Sequence, residues 1–67
     1  MNFSLRELRA RKNVTQAETS KEIGVSRATY IKWEADPTRI GIADIYKLAE
    51  YFDVAIDEIK IKEDSND

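Results

Sequence analysis

A small all-α domain of four to five helices is the fold class that this 67-residue chain predicts, and three observations carry that expectation. Residues 15 to 34 read as two short capped helices joined by a tight glycine turn. Ile42, Ile45, Leu48, Ala49 and Phe52 recur at intervals of three and four, with Asp44, Lys47 and Glu50 opposite, which is the pattern of an amphipathic helix. Ser4 stands three residues before Glu7, the spacing of a capping box that opens one more helix. A single core in so short a chain leaves little margin, so every helix must contribute apolar area.

Each element has its own local cause. In helix 1, Phe3 and Leu8 are placed as a hydrophobic staple around the Ser4 cap, and Leu5 shares a face with Leu8. Arg11 and Lys12 complement the dipole in its last turn, and Asn13 can follow as a left-handed cap. Helix 2 opens at Thr15 with Glu18 as the reciprocal partner and stops at Gly24, just past Ile23. Ser26 opens helix 3, from Arg27 to about Ala35, with Val25 and Tyr30 as a second staple. Tyr30 and Trp33 continue the apolar side, which turns Arg27, Ala28, Ile31 and Lys32 outward. Asp36-Pro37-Thr38-Arg39 is a turn, and Gly41 caps helix 4, whose apolar face is expected to close the core beneath helices 1 and 3. Asp53 ends that helix in a conformation costly for a residue with a Cβ. A short fifth helix is expected at about Ile56 to Ile59. Ile59-Lys60-Ile61-Lys62 alternates as a strand would, although four residues do not decide it. The domain is therefore placed at residues 1–62, with an acidic tail at 63–67 that reads as disordered.

The composition narrows the chemistry. There is no cysteine for a disulfide or thiolate site, and no histidine to serve as general base or metal ligand, so no enzyme, metal or other cofactor is expected. No signal-peptide run opens the chain and no apolar stretch is long enough to span a bilayer, which points to the cytoplasm. The net charge of -2 hides an asymmetry: residues 1 to 40 carry eight Lys+Arg against five Asp+Glu, and residues 41 to 67 carry three against eight. That distribution suits a protein that presents its N-terminal helices to DNA and keeps an acidic end away from it. Ordinary solvated surface charge accounts for it equally well.

Two short capped helices around a glycine turn have the form of a DNA-binding helix-turn-helix. The chain resembles the lambda-repressor/Cro-like (XRE-type) helix-turn-helix family over roughly residues 4 to 60. The resemblance rests on Arg9, on Gln16 and Glu18, on Ile23-Gly24-Val25-Ser26, and on Thr29, Trp33 and Glu34, with Leu48-Ala49 and Val54-Ala55-Ile56-Asp57-Glu58-Ile59 further on. It departs from the family pattern at Thr19 and Ser20, where leucine and alanine are usual, and around Ala35, Pro37, Ile40 and Asp53. Thr19 is expected to loosen helix 2, and Ser20 to bond back to the Gln16 carbonyl.

The resemblance implies a compact lambda-repressor-like DNA-binding domain that acts as a sequence-specific regulator of transcription, a repressor on a two-fold operator. Arg27, Ala28, Ile31 and Lys32 would then contact base edges in the major groove, the charged pair at guanine and the apolar pair at thymine methyls. Gln16, Thr29 and Arg39 would contact phosphate. Arg9 and Glu34 match a family pair that links helix 1 to helix 3. Because one such motif reads only a few base pairs, a homodimer formed mainly on DNA is expected. Val54, Ile56, Ile59 and Ile61 are its candidate contacts, as apolar residues that so small a domain cannot all cover. Double-stranded DNA is the expected partner, with no membrane and no small-molecule ligand. The competing reading is a protein-interaction module, an antitoxin or adaptor, built on the same fold.

Overall fold

The computed structural model describes residues 2 to 61, so Lys62 and the acidic tail lie outside it. Four α-helices follow one another: α1 Leu5–Lys12, α2 Gln16–Ile23, α3 Arg27–Ala35 and α4 Ile42–Phe52. Two single 3-10 turns, Pro37–Arg39 and Ile56–Glu58, replace the expected plain turn and the fifth helix. In the first, Asp36 accepts from the Thr38 amide and hydroxyl and winds the chain tightly around Pro37.

The caps form where the side chains allow them. Ser4 and Glu7 make a reciprocal capping box, as do Thr15 and Glu18. Asn13 (φ 62) and Asp53 (φ 59) both adopt the left-handed conformation at the ends of α1 and α4. Gly24 does so at φ 92 between α2 and α3, and its amide and that of Val25 both close on the Ser20 carbonyl. That closure reverses the chain in two residues and brings α3 across α2.

The core joins Leu5 and Leu8 of α1, Ile23 of α2, Tyr30 and Trp33 of α3, and Ile45, Leu48 and Phe52 of α4. The α4 backbone approaches α2 and α1, and its apolar face shares one core with Leu5 and Leu8 of α1 and with Tyr30 and Trp33 of α3, as its spacing suggests. Ile42, in the first turn of that face, is 68% exposed. Thr19 does not loosen α2. It is fully buried, its hydroxyl donates to the Thr15 carbonyl at 2.9 Å, and α2 runs unbroken to Ile23. Ser20 is buried too, but its hydroxyl donates to the Ala17 carbonyl (3.0 Å) and not to that of Gln16.

The described C-terminal residues make an isolated parallel bridge to the N-terminal segment. The Phe3 amide donates to the Glu58 carbonyl and the Lys60 amide to the Phe3 carbonyl, each at 2.7 Å. This pairing carries Ile59 into the core, where it is 3% exposed.

Candidate nucleic-acid interface

The outward side of α3 is set by what its other side must bury. Tyr30 and Trp33 enter the core with their rings edge to face at 6.2 Å. At 3.6 residues per turn this leaves Arg27, Ala28, Ile31 and Lys32 on one arc of about 140°, and all four are exposed. Neither Arg27 nor Lys32 forms an ion pair among the described residues. Ala35 is also exposed and lies on the same arc one turn further on, a position that the apolar spacing did not single out. The face combines two free cations with small and branched apolar groups. It can donate to acceptors and cover a methyl group at once.

At the start of α3, the Ser26 hydroxyl accepts from the Thr29 amide and donates to the Thr29 hydroxyl oxygen at 3.0 Å. Thr29 is exposed and its own hydroxyl proton remains available to an outside acceptor. Arg39 is exposed in the turn after α3, with Asp36 at 3.5 Å. At the start of α2, the capping box satisfies the Thr15 and Glu18 amides, while the Gln16 and Ala17 amides make no hydrogen bond within the described residues.

Behind this surface lies a polar cluster that joins α1, α2 and α3. Glu34, whose side chain is 5% exposed, accepts from Arg9 through Nε (2.6 Å) and Nη2 (3.3 Å). The third Arg9 nitrogen, Nη1, donates to the Val14 carbonyl at 3.3 Å. Gln16 Nε2 donates at 3.0 Å to Glu34 Oε1, the oxygen that also accepts from Arg9 Nη2. The Arg9–Glu34 link follows the family pattern. The Gln16 contact, 18 residues distant in sequence, has no periodic signal that could have announced it.

Burial alone would push the Glu34 carboxyl up, but hydrogen bonds from Arg9 and Gln16 outweigh it and hold the group below its ordinary value. The Tyr30 hydroxyl is buried beside this carboxylate and makes no well-formed hydrogen bond. Burial first, and the carboxylate second, hold it far above its ordinary range. A lowered Glu34 contributes stability above its unfolded value, near 4.5, and that contribution is lost as pH falls through the folded value. Half-buried Asp36, lowered by its Thr38 hydrogen bonds, acts in the same direction. Histidine, the side chain whose ordinary value falls in the neutral range, is absent from the chain. Denaturant unfolding should therefore give a flat stability across that range and a decline below about pH 4.5, shallower in Glu34→Gln.

The four candidate dimer residues do not stay together. Ile56 and Ile61 line a shallow apolar surface with Ile40, Ile42 and Ile45. Val54 instead sits beside Leu8, Arg11 and Phe52. Ile59 is a core residue, contrary to the expectation that the domain leaves it uncovered, because its pairing with Phe3 turns it inward. Ile42 and Tyr46 are the large exposed apolar residues of α4. The spacing of α4 placed Ile42 in the core and so concealed it.

Comparison with known proteins gives the family. A family model described as helix-turn-helix matches residues 5–59. An HTH-type transcriptional regulator of Methanocaldococcus jannaschii is 38% identical over 64 residues, covering 96% of this chain and 97% of the relative. One from Archaeoglobus fulgidus is 34% identical over 61 residues, 91% of this chain and 86% of the relative. The HTH-type transcriptional activator BcrR of Enterococcus faecalis is 33% identical over 58 residues, which cover 87% of this chain but 28% of that protein. No solved structure gives a significant match.

Proposed function

The chain belongs to the helix-turn-helix family of DNA-binding transcriptional regulators, and from that premise we propose that it is a sequence-specific repressor, acting in the cytoplasm as a homodimer on a two-fold operator. The supporting observation is the exposed α3 arc with its unpaired Arg27 and Lys32. Arg27 and Lys32 donate to guanine edges, while Ala28 and Ile31 meet thymine methyls. Gln16, Thr29 and Arg39 hold the flanking phosphates and fix the register. Repression follows from occupancy, since nothing in the cluster behind α3 supplies a catalytic group. BcrR is named an activator, and the same docking would serve recruitment if the operator stands beside a promoter rather than across it.

The dimer contact is assigned to Ile42, Ile56 and Ile61, on the apolar surface beside α4. Two copies related by a two-fold axis would cover it and set two α3 helices on half-sites about one helical turn apart.

The test is selection of bound duplexes from a random pool, followed by titration of the selected site at several salt concentrations. Affinity is expected to fall steeply with salt as phosphate contacts release counterions. Arg27→Ala should cost about 1 to 3 kcal/mol on that site and relax preference at one base position. Absence of any selected site, or a salt-insensitive affinity, would refute the regulator reading and favour a protein-binding module.

A further inference from the structure

Glu34 and Gln16 meet at a place where the family's helix-to-helix link and the proposed phosphate contact touch each other. We infer that Glu34 is a positioning residue for DNA binding: through its hydrogen bond to Gln16 Nε2 it holds the Gln16 amide in the one orientation that directs an N–H toward phosphate. The inference rests on the DNA-binding reading above.

The argument is one of donors and acceptors. A free glutamine on a helix surface turns about three side-chain bonds, and its terminal amide presents nitrogen or oxygen with equal ease. A carboxylate only accepts, so Glu34 at 3.0 Å admits the amide nitrogen and repels the amide oxygen. Glu34 in turn cannot move away, because Arg9 grips it by two nitrogens and is itself tied to the Val14 carbonyl. One hydrogen of Gln16 Nε2 is then used inside the protein and the second remains free. Phosphate, like the carboxylate, only accepts. The orientation that satisfies Glu34 is thus also the one that leaves a donor for a phosphate, beside the unbonded Gln16 and Ala17 amides of the first turn of α2. With the amide fixed before binding, DNA association orders one side chain fewer. The charge of Glu34 does not oppose this, since Arg9 lies against it on the protein side.

The experiment is a thermodynamic cycle on the selected operator. Arg9→Met/Glu34→Leu removes the latch and exchanges one paired charge for each of two apolar groups, so the domain keeps its fold. Gln16→Ala is introduced into the unaltered protein and into this variant. In the unaltered protein Gln16→Ala is expected to weaken binding about tenfold, and in the latchless variant less than about threefold. Base preference should not change in either. The loss of Arg9 charge enters both arms and cancels, so a purely structural role for Glu34 would leave the two ratios equal.

A second readout needs neither DNA nor the variant: NMR of the Gln16 side-chain amide in the free protein. Two well-separated amide proton shifts, distinct from those of a solvated glutamine, are expected. Equal Gln16→Ala losses in both backgrounds, or solvated-glutamine shifts, would overturn the positioning role. Failure of the unaltered protein to select any duplex would instead overturn the DNA reading itself.

Discussion

Ile59→Asp is expected to unfold the domain. Ile59 is 3% exposed and packs in the one core of the molecule, while its neighbours Glu58 and Lys60 pair with Phe3. Deleting the buried aliphatic group costs about 2 to 5 kcal/mol on its own, and a carboxylate placed there has no partner to offset its loss of water. A domain of this size has roughly 3 to 10 kcal/mol to lose. The far-ultraviolet circular dichroism of Ile59→Asp should therefore lack the cooperative helical transition of the unaltered protein. Ile56→Asp is the informative companion. Ile56 is exposed, so that variant should fold normally and lose cooperativity on the operator instead. A folded Ile59→Asp protein would mean that the C-terminal segment is not part of the core.

The second large effect belongs to Glu34→Ala. It strands the Arg9 guanidinium, 18% exposed, without the carboxylate that both its Nε and its Nη2 address. Breaking a buried pair from one side costs about 3 to 5 kcal/mol, whereas replacing both members with apolar groups is far milder. Equilibrium urea unfolding of Glu34→Ala and of Arg9→Met/Glu34→Leu should thus rank the single variant as the less stable. If the single and paired variants unfold at the same urea concentration, the pair does not hold α1 to α3.

Such contrasts mark where the sequence was legible. The caps at Ser4 and Thr15 could be read because each is a local exchange between a residue and the next turn, repeated in the structure with the same partners, Glu7 and Glu18; Ser26 and Gly41 stand at the expected helix starts, Gly41 with no side-chain bond. Tyr30 and Trp33 could be read as core by spacing alone, and with them the outward arc of α3. The family resemblance carried Arg9 and Glu34 to each other. What spacing could not convey was context beyond one helix. Ile42 satisfies the period of α4 but lies in its first turn, where it stays 68% exposed. Ile59 sits in an alternating run that suits a strand edge, and only its long-range partner Phe3 decides which way it points. Gln16 reads as a phosphate contact at a helix start, and its bond to Glu34 emerges only when α3 is packed alongside.

The bridge between Phe3 and Ile59 also orders the events by which the chain assembles. It joins positions at nearly opposite ends of the described chain, whereas the turn at Gly24 joins α2 to α3 through a few residues. Local closures of the second kind are fast, and closure over a long intervening chain must wait until that chain has been shortened by folding. The helix-turn-helix unit is thus the natural nucleus, and the terminal pairing the last step. Read in reverse, the first opening of the native state is release of the Phe3 segment. It breaks two backbone hydrogen bonds and uncovers Ile59 while α2 and α3 remain docked. Hydrogen exchange at the Phe3 and Lys60 amides should outpace exchange at the interior amides of α3.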